Sequence, residues 1–268
     1  MFPATKQDER NREMDDALSK APPIFEVRIA QTEAEVKAAQ TLRYQVFVEE
    51  LGANGPLVDH HSRLEIDSFD AHADQLILLD LTRKTDDQVV GVYRLLDQAG
   101  AQAAGQFYSE NEYDLSSLKS SGRTLLELGR SCLHSEYRGG PAMLHLWQAL
   151  AKEVDVRGAE ILFGVASFHG VALKQLAPSL SLLARDYLAP PHLRVRARHY
   201  QPMNIMDDID RVSAMKQIPS LIKAYLRLGG FVGDGAFLDH AFNTTDVCLI
   251  LDTSSMNPRQ RAIYGGGR

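Results

Sequence analysis

Two charged residues lie in the middle of an apolar stretch of this 268-residue sequence. Glu127 and Arg130 stand three positions apart in a segment that reads as a strand from Thr124 to His134. A carboxylate and a guanidinium in a buried strand are costly unless they are paired or take part in chemistry. The spacing alone leaves a structural ion pair and an active-site pair open. If chemistry is the reason, Glu127 is the first candidate for a general base.

Strict strand alternation predicts which side chains accompany these two charges. It places Gly129 and Ser131 on the face of Glu127, and Cys132 on the face of Arg130. Ser131 and Cys132 lack the strained, glycine-flanked turn of a serine nucleophile, so neither is predicted to attack a substrate.

A glycine turn follows this strand and precedes a helix. Arg138, Gly139 and Gly140 stand before Pro141, which suits the first turn of a helix. Backbone N–H groups at a helix start have no partner within the helix, so they bind anions. The turn is a candidate site for the phosphate of a phosphopantetheine arm or a coenzyme, although the same pattern also caps helices that bind nothing.

Three carboxylates, Glu65, Asp67 and Asp70, fall within six residues of one another. Such a cluster needs a cationic partner, which is either Arg43 and Arg94 of the chain or a cationic substrate. A solvated acidic loop is the alternative. No ordered loop of oxygen ligands follows, so a metal site is not predicted.

Two further side chains are candidates for a base. His60 lies in a turn-rich loop beside Asp59, and a histidine titrates near neutral pH. His60 and Glu65 are the next candidates for the general base after Glu127. A surface histidine without a catalytic role is the alternative reading of His60.

Basic residues recur in the last third of the chain. Arg194, Arg196 and Arg198 alternate with apolar residues, so a strand there would carry one basic face. That face suits an acidic partner, or it protects a solvated sheet edge from aggregation. The segment 219–228 predicts a basic amphipathic helix, which packs on the core or contacts an anionic membrane surface.

The order of the elements predicts an α/β (α+β) mixture. A hairpin of strands at 76–81 and 89–96 precedes the strand, glycine turn and helix described above. We expect a flexible arm at 1–22, a core at 23–190, a C-terminal strand and helix extension packed on the core at 191–255, and a tail at 256–268.

The composition excludes several classes of protein. The net charge of −6 argues against a general nucleic-acid binder. Two cysteines provide neither a disulfide framework nor a zinc site. No apolar run approaches the roughly 20 residues that cross a bilayer, and the polar start of the chain has no secretory signal. We therefore expect a cytoplasmic protein.

Taken together, these residues resemble two related families. Arg43, Phe47, Asp67, Asp70, Arg94, Glu127 and Arg130 occur in the order shown by acyl-homoserine-lactone synthases, but Leu51-Gly52-Ala53 stands where those enzymes carry a tryptophan. The chain is more similar to the ornithine–acyl carrier protein N-acyltransferases, sometimes labelled hemolysin-like. That resemblance spans about residues 25 to 255, and the segments that carry it are 42–52, 67–70, 127–130 and 223–230, with Asp239, Phe242 and Asp246.

The resemblance implies a fold and a reaction. The fold is the GNAT-like (GCN5-related N-acetyltransferase) one, a mixed central sheet flanked by helices. The reaction moves a long-chain, 3-hydroxylated fatty acyl group from acyl carrier protein to the α-amine of L-ornithine, which gives lyso-ornithine lipid without a cofactor or an acyl-enzyme. The family's phosphate-binding signature is only partly kept in Arg138-Gly-Gly-Pro-Ala, which fits a donor without the nucleotide of coenzyme A.

The resemblance also implies roles for the candidate residues. The ornithine carboxylate pairs with Arg43 or Arg94, beside Phe47, and the side-chain ammonium with Asp67 and Asp70, unless these two acids only stabilise the arginines. The donor is held by the backbone of Ser131, Cys132 and Leu133 and by Arg138, Gly139 and Gly140, and the carrier protein docks on Arg194, Arg196 and Arg198. Peripheral contact with an anionic membrane is compatible with this reaction.

Other functions remain open at this stage. A lactone synthase that uses S-adenosylmethionine, or an N-acyltransferase for glutamine or lysine, would need many of the same residues. A lipid-binding protein without catalysis is the alternative of another class, but a buried Glu127 and Arg130 favour an enzyme.

Overall fold

A mixed eight-stranded sheet forms the centre of the computed structural model, which describes residues 22–55 and 58–256. The strands are β1 (Phe25–Ile29), β2 (Val58–Asp59), β3 (Leu64–Glu65), β4 (Asp74–Asp80), β5 (Val89–Asp97), β6 (Tyr113–Asp114), β7 (Leu125–Leu133), β8 (Ile161–His169), β9 (Arg196–Ala197), β10 (Phe231–Val232), β11 (Phe237–Asp239) and β12 (Thr244–Asp252). The helices are α1 (Glu33–Arg43), α2 (Gln98–Ala104), α3 (Ser116–Lys119), α4 (Ala142–Arg157), α5 (Leu173–Asp186), α6 (Arg211–Gln217) and α7 (Ser220–Arg227).

The central sheet has the order β1-β4-β5-β7-β8-β12-β10, and β11 also pairs with β12. Its neighbours are antiparallel except for β7 and β8, which are parallel. Apolar side chains of the sheet pack against α4, α5 and α7 in one core and against α1 in another. The predicted α+β fold, a mixed sheet flanked by helices, is confirmed.

Local sequence patterns located most of these elements. Thr32 and Glu35 form the predicted capping box at the start of α1, and the helix continues to Glu50, with residues 44–50 in the wider π-helical form. The hairpin, the strand with Glu127, the helix after the glycine turn and the final strand are confirmed as β4–β5, β7, α4 and β12. In α7 the apolar side chains are buried, which corresponds to the core-packing alternative.

The predicted strand at Arg194 to Tyr200 is wrong, because only Arg196–Ala197 form a strand. Apolar and charged residues do alternate between buried and exposed positions there. However, neighbouring backbone N–H groups bond different segments of the chain. The N–H of Ala197 donates to Asp234 O at 2.9 Å, and the N–H of Arg198 donates to Glu112 O at 2.7 Å. Alternating burial therefore occurs here without a long ladder.

The predicted division of the chain at residue 190 stays a prediction. Residues beyond it supply β10, β11 and β12 of the same sheet. The predicted arm and tail lie almost wholly outside the described residues. Within the described residues, no helix has the length and apolar character needed to cross a membrane.

The parallel strands β7 and β8 separate partway along their length. They pair from Leu125 with Ile161 to Glu127 with Phe163, and then β7 runs on to Leu133 without β8 beside it. Gly164 lies at the point of separation, where an added Cβ would overlap the carbonyl oxygen of Leu128. The absence of a side chain at Gly164 thus allows the backbones to approach just before they part.

Replacing Gly164 with alanine is expected to lower the free energy of unfolding by about 2 kcal/mol or more, because one of two paired backbones must shift. Urea denaturation followed by circular dichroism measures the change. Gly140→Ala is the matched control, since its added Cβ meets only Tyr137 O at 3.9 Å. Equal stability of the two variants would contradict the close approach.

Candidate active site

Three arginines and three carboxylates form one buried charge network beside the separated strands. Arg43 ends α1, Arg94 lies in β5 and Arg130 in β7. Their partners come from a short stretch of β3 and the turn after it, namely Glu65, Asp67 and Asp70. We call these six residues the arginine–carboxylate network.

Arg43 is the most deeply buried member, with 0% of its surface exposed. Its Nε donates to Glu65 Oε2 at 2.5 Å, and its Nη1 donates to Asp70 Oδ1 at 2.7 Å. Arg94 donates from Nη1 to the same Asp70 oxygen at 3.0 Å and to Asp67 Oδ1 at 2.6 Å. One oxygen of Asp70 therefore bridges Arg43 and Arg94.

Arg130 completes the network from β7. It donates from Nε to Glu65 Oε1 at 3.1 Å and from Nη2 to Asp67 Oδ2 at 3.0 Å. Burial alone would raise the pKa of Asp67, but the guanidinium groups of Arg94 and Arg130 outweigh burial and hold the pKa at about 2. Asp67 and Asp70 each pair with two arginines. The three positive and three negative charges of the network balance, so these two acids carry no spare charge for a substrate cation.

A bulge in β7 determines where Arg130 points. The backbone of Arg130 has φ +50°, and the pairing of β7 with β5 shifts by one residue at this point. The bulge places Arg130 on the same face as Glu127, while the Ser131 hydroxyl reaches Tyr93 on the opposite face. The strict alternation predicted from the sequence is therefore wrong beyond Gly129.

Glu127 is 3% exposed and does not pair with Arg130. Its Oε2 accepts the N–H of Tyr108 at 2.8 Å, and its Oε1 accepts the N–H of Ser109 at 2.6 Å and the Ser109 hydroxyl. Burial raises the pKa of Glu127 above its usual range, while the Ser109 bonds and the charge of Arg94 oppose the rise. A carboxylate with a raised pKa is a stronger base than a free one.

A cavity of about 250 Å³ occupies the space between the separated strands. Residues 127–131 of β7 and 165–167 of β8 form one wall, and the aromatic rings of Phe47, Tyr108 and Phe242 line it. The guanidinium carbon of Arg130 lies 4.6 Å from the Tyr108 ring centre and 5.3 Å from that of Phe242. Glu127 and Arg130 thus both line one cavity, which is the placement that the active-site alternative requires.

A second group of acids lines or adjoins the same cavity. Glu112, Asp239 and Asp246 each present a carboxylate oxygen within 4.8 Å of the others. Burial raises the pKa of Asp246 to about 6, and the nearby hydroxyls of Ser167 and Thr244, which lower the pKa, limit this rise. Burial also raises the pKa of Glu112 well above its usual range, assisted by the charges of Asp246 and Asp239. We call Glu112, Asp239 and Asp246 the acidic cluster.

The other candidate bases lie away from the cavity wall. His60 is exposed, and its Nδ1 and Nε2 contact Tyr44 Oη at 3.0 Å and Asn54 Oδ1 at 3.2 Å. Both oxygens of Glu65 are bound by guanidinium groups. Neither residue is among the described residues that line the cavity, so the geometry favours Glu127 as the base.

The glycine turn has the predicted form. Gly139 adopts φ +77°, and α4 begins just after Pro141 without a side-chain cap. Arg138 folds back from this turn, donates to the Leu133 carbonyl at 2.9 and 3.1 Å, and pairs with Glu50 at 2.7 Å. The turn is thereby fixed to the end of β7.

The three arginines of the predicted basic face do not form one surface. Arg194 is half-buried and donates to Ala189 O at 2.7 Å. Arg196 is exposed, pairs with Asp234 at 2.9 Å and stacks on Tyr200, while Arg198 donates to Glu110 O at 2.6 Å. Only Arg196 and Arg198 are exposed.

Sequence reasoning missed residues that the tertiary structure brings to the site. Tyr108 and Ser109 fall between the predicted hairpin and the strand with Glu127, in a stretch where the sequence predicts no helix or strand, and Glu112 follows them. Asp239 and Asp246 were noted in the resemblance, but no role was assigned to them. The run of acids at 110–114 was the one available signal, and acidic runs are usually solvated surface.

Comparisons with known proteins fit this geometry. Residues 42–148 match the acetyltransferase (GNAT) domain family. A protein of Rhodobacter capsulatus named L-ornithine N(alpha)-acyltransferase is 52% identical over 92% of this chain and 97% of its own. A Brucella abortus protein of the same name is 40% identical over 90% of this chain and 89% of its own. The crystal structure of the acyl-homoserine-lactone synthase LasI superposes with a TM-score of 0.50 at 18% identity, covering 92% of this chain and 97% of LasI, which is a likeness of fold.

Replacing Arg43 with glutamine is expected to lower the free energy of unfolding by about 3–5 kcal/mol, because two buried carboxylates lose their guanidinium partner. Arg63→Gln is the control, since Arg63 makes an ion pair of similar length, 2.6 Å, but is exposed; its loss should cost at most about 1 kcal/mol. Equal losses in denaturation experiments would contradict a structural role for the network.

Replacing Asp246 with asparagine is expected to stabilise the protein by about 2 kcal/mol at about pH 8. The pKa of Asp246 in the folded protein is about 6, so above this pH the carboxyl group is ionised in both the folded and the unfolded protein. Only the folded protein then carries the cost of a buried charge. As the pH falls from 6 toward about 4, the folded wild-type protein takes up a proton and the difference disappears.

Denaturation of the two proteins at both ends of this pH range measures the difference. Asp207→Asn, which changes an exposed aspartate, is the control and should alter stability by less than about 0.5 kcal/mol. An Asp246→Asn protein that is less stable at about pH 8 would contradict the raised pKa.

Proposed function

Because the chain belongs to the family of L-ornithine N(alpha)-acyltransferases, we propose that it transfers a fatty acyl group from a thioester to the α-amine of L-ornithine. The product is an N-acylornithine, the lyso-ornithine lipid from which an ornithine lipid is made. The donor is a long-chain, 3-hydroxylated acyl group on the phosphopantetheine arm of acyl carrier protein.

The position of Glu127 is the main support for this proposal. The carboxylate faces a cavity between separated strands, and its pKa is raised by burial. An α-amine with a pKa of about 8 is largely protonated at neutral pH, so it must lose a proton before it can attack. Glu127 takes this proton, either directly or through a water.

The chemistry then needs no covalent intermediate on the protein. The neutral amine attacks the thioester carbonyl, a C–N bond forms, and the C–S bond breaks as the pantetheine thiolate leaves and takes up a proton. Burial raises the pKa of Cys132 to about 12 and that of Cys248 further, so both thiols stay protonated and are poor nucleophiles. Direct transfer fits these two side chains.

The separated part of β7 provides the remaining groups. The Leu133 carbonyl bonds Arg138 instead of a strand, so the N–H of Leu133 faces the same unpaired edge. We place the oxyanion of the tetrahedral intermediate at the N–H of Leu133 on this edge. The phosphate of the arm lies at Gly139 and Gly140, where the N-terminus of α4 favours an anion.

The carrier protein is an acidic partner in this proposal. Arg196 and Arg198 are exposed to it, although Arg196 also pairs with Asp234 and Arg198 donates to Glu110 O, whereas Arg194 is half-buried against Ala189. The docking surface therefore consists mainly of Arg196 and Arg198.

Phe47 and Leu51, which both line the cavity, offer apolar surface to the bound substrates.

The acceptor is tested directly with purified protein. The protein is incubated with 3-hydroxyacyl carrier protein and, in separate reactions, L-ornithine, L-lysine, L-glutamine or S-adenosylmethionine. Mass spectrometry is expected to detect N-acylornithine as the main product. An acyl-homoserine lactone from S-adenosylmethionine, or a main product from another amine, would contradict the proposal.

Replacing Glu127 with glutamine is expected to lower kcat by about a hundredfold or more, because the amide cannot accept the proton. The Ser109→Ala variant separates this role from a structural one. Loss of the Ser109 hydroxyl bond raises the pKa of Glu127, so the acidic limb of the kcat profile should move to higher pH.

Thermal unfolding of both variants checks that they fold. A Ser109→Ala profile that matches the wild-type profile, together with near-normal turnover of Glu127→Gln, would mean that the amine loses its proton to another group.

A further inference from the structure

The acidic cluster lies where three separate segments meet at the cavity. Asp246 is in β12, Asp239 ends β11, and Glu112 follows the turn that holds Glu127. In the pairing of β11 with β12, Phe237 lies opposite Asp246 and Asp239 lies opposite Thr244, so the two aspartates are diagonal neighbours on one face of the hairpin. Asp239 and Asp246 both line the cavity.

The cluster has hydrogen-bonding capacity that the fold does not use. Glu112 and Asp246 are each 3% exposed, and across residues 22–55 and 58–256 no donor meets hydrogen-bond geometry with Oε2 of Glu112 or Oδ1 of Asp246, although the hydroxyls of Ser167 and Thr244 lie near the Asp246 carboxyl group. A buried acceptor without a donor is costly, and the great majority of such groups in proteins have a partner. Glu127 and the acids of the arginine–carboxylate network differ, because the fold supplies donors to them.

We propose that the acidic cluster binds the side-chain ammonium of a diamino-acid acceptor. This inference rests on the proposed function, and it moves the ammonium from Asp67 and Asp70, where the sequence placed it, to Glu112, Asp239 and Asp246. The α-amine of the same acceptor then lies at Glu127, on the wall of the same cavity.

The geometry suits a primary ammonium group. An ammonium has three donors, and three acceptors held at about 2.8 Å in tetrahedral directions are about 4.6 Å apart. The three carboxylate oxygens of the cluster lie within 4.8 Å of one another. One ammonium can therefore bond all three side chains at once.

The charge of the cluster also suits a monovalent cation. Burial and mutual repulsion raise the pKa values of Glu112 and Asp246, so these two groups take up protons at a higher pH than free carboxyl groups do. Arg130, whose charge acts on both Glu112 and Asp246, is already bound by Glu65 and Asp67. A divalent metal ion would need fully deprotonated ligands, whereas an ammonium can also donate to a protonated carboxyl group.

The experiment compares two acceptors that differ only at the end of the side chain. L-Norleucine carries a methyl group where L-ornithine carries its ammonium. The ratio of kcat/KM for ornithine to that for norleucine is measured with 3-hydroxyacyl carrier protein for the wild-type protein and for Asp239→Asn, Asp246→Asn and the exposed control Asp207→Asn.

Both cluster variants are expected to lower this ratio about tenfold or more, mainly through a higher KM for ornithine, because a charge-assisted hydrogen bond is lost. The control should keep the wild-type ratio. An unchanged ratio in folded Asp239→Asn and Asp246→Asn proteins would overturn the proposal. So would loss of ornithine turnover on EDTA treatment that Mg²⁺ or Mn²⁺ restores, since the cluster would then be a metal site.

A binding measurement separates this inference from the proposed function. If the wild-type protein acylates no ornithine, the proposed function fails, and calorimetric titration with L-ornithine in the absence of donor still tests the cluster. Affinity that falls about tenfold in Asp246→Asn supports the cluster as an ammonium site. Equal affinity, or no binding to the wild-type protein, overturns it.

Discussion

The structure around the site depends on six buried charges that cannot be separated cheaply. Taking a guanidinium or a carboxylate out of water costs several kcal/mol, and only a partner with good geometry offsets that cost. The arginine–carboxylate network meets this requirement with six distances between 2.5 and 3.1 Å. Because its arginines lie in α1, β5 and β7, the network ties a helix and two strands to the turn that carries its acids. Such a network is a weak source of net stability, but it constrains the positions of these elements strongly.

The same constraint gives the cavity its shape. Arg130 reaches its carboxylates only because the bulge at φ +50° turns it to the face of Glu127. Just before the bulge, Gly164 lets β8 approach β7 closely, and beyond it the two strands separate. The cavity is thus a consequence of backbone irregularities that are fixed by charge pairing on one side and by a glycine on the other.

Carboxyl groups in and around this cavity fall into three classes that differ in how their acceptors are used. Those of the network are neutralised by arginines, and Glu127 is held by two N–H groups and a hydroxyl. Asp246 and Glu112 keep acceptors unused and have raised pKa values. Keeping these two acids buried and ionisable costs the folded protein stability, and the proposed ammonium site would account for that cost.

Local patterns in the sequence were sufficient for most of the elements and for part of the site. The capping box at Thr32, the extent of β7 and the glycine turn before α4 depend on neighbours within a few positions, so the sequence determines them by itself. Charges within an apolar strand singled out Glu127 and Arg130, and the resemblance to a family added the reaction in which they take part. Only the tertiary structure decided the roles of the acids, because a carboxylate is defined by what lies beside it. Asp67 has Arg94, 27 positions away, whereas Asp246 has Glu112 and no arginine pairs with it in the described part of the chain. Pairing between segments so far apart depends on how the sheet folds, and no local pattern records it.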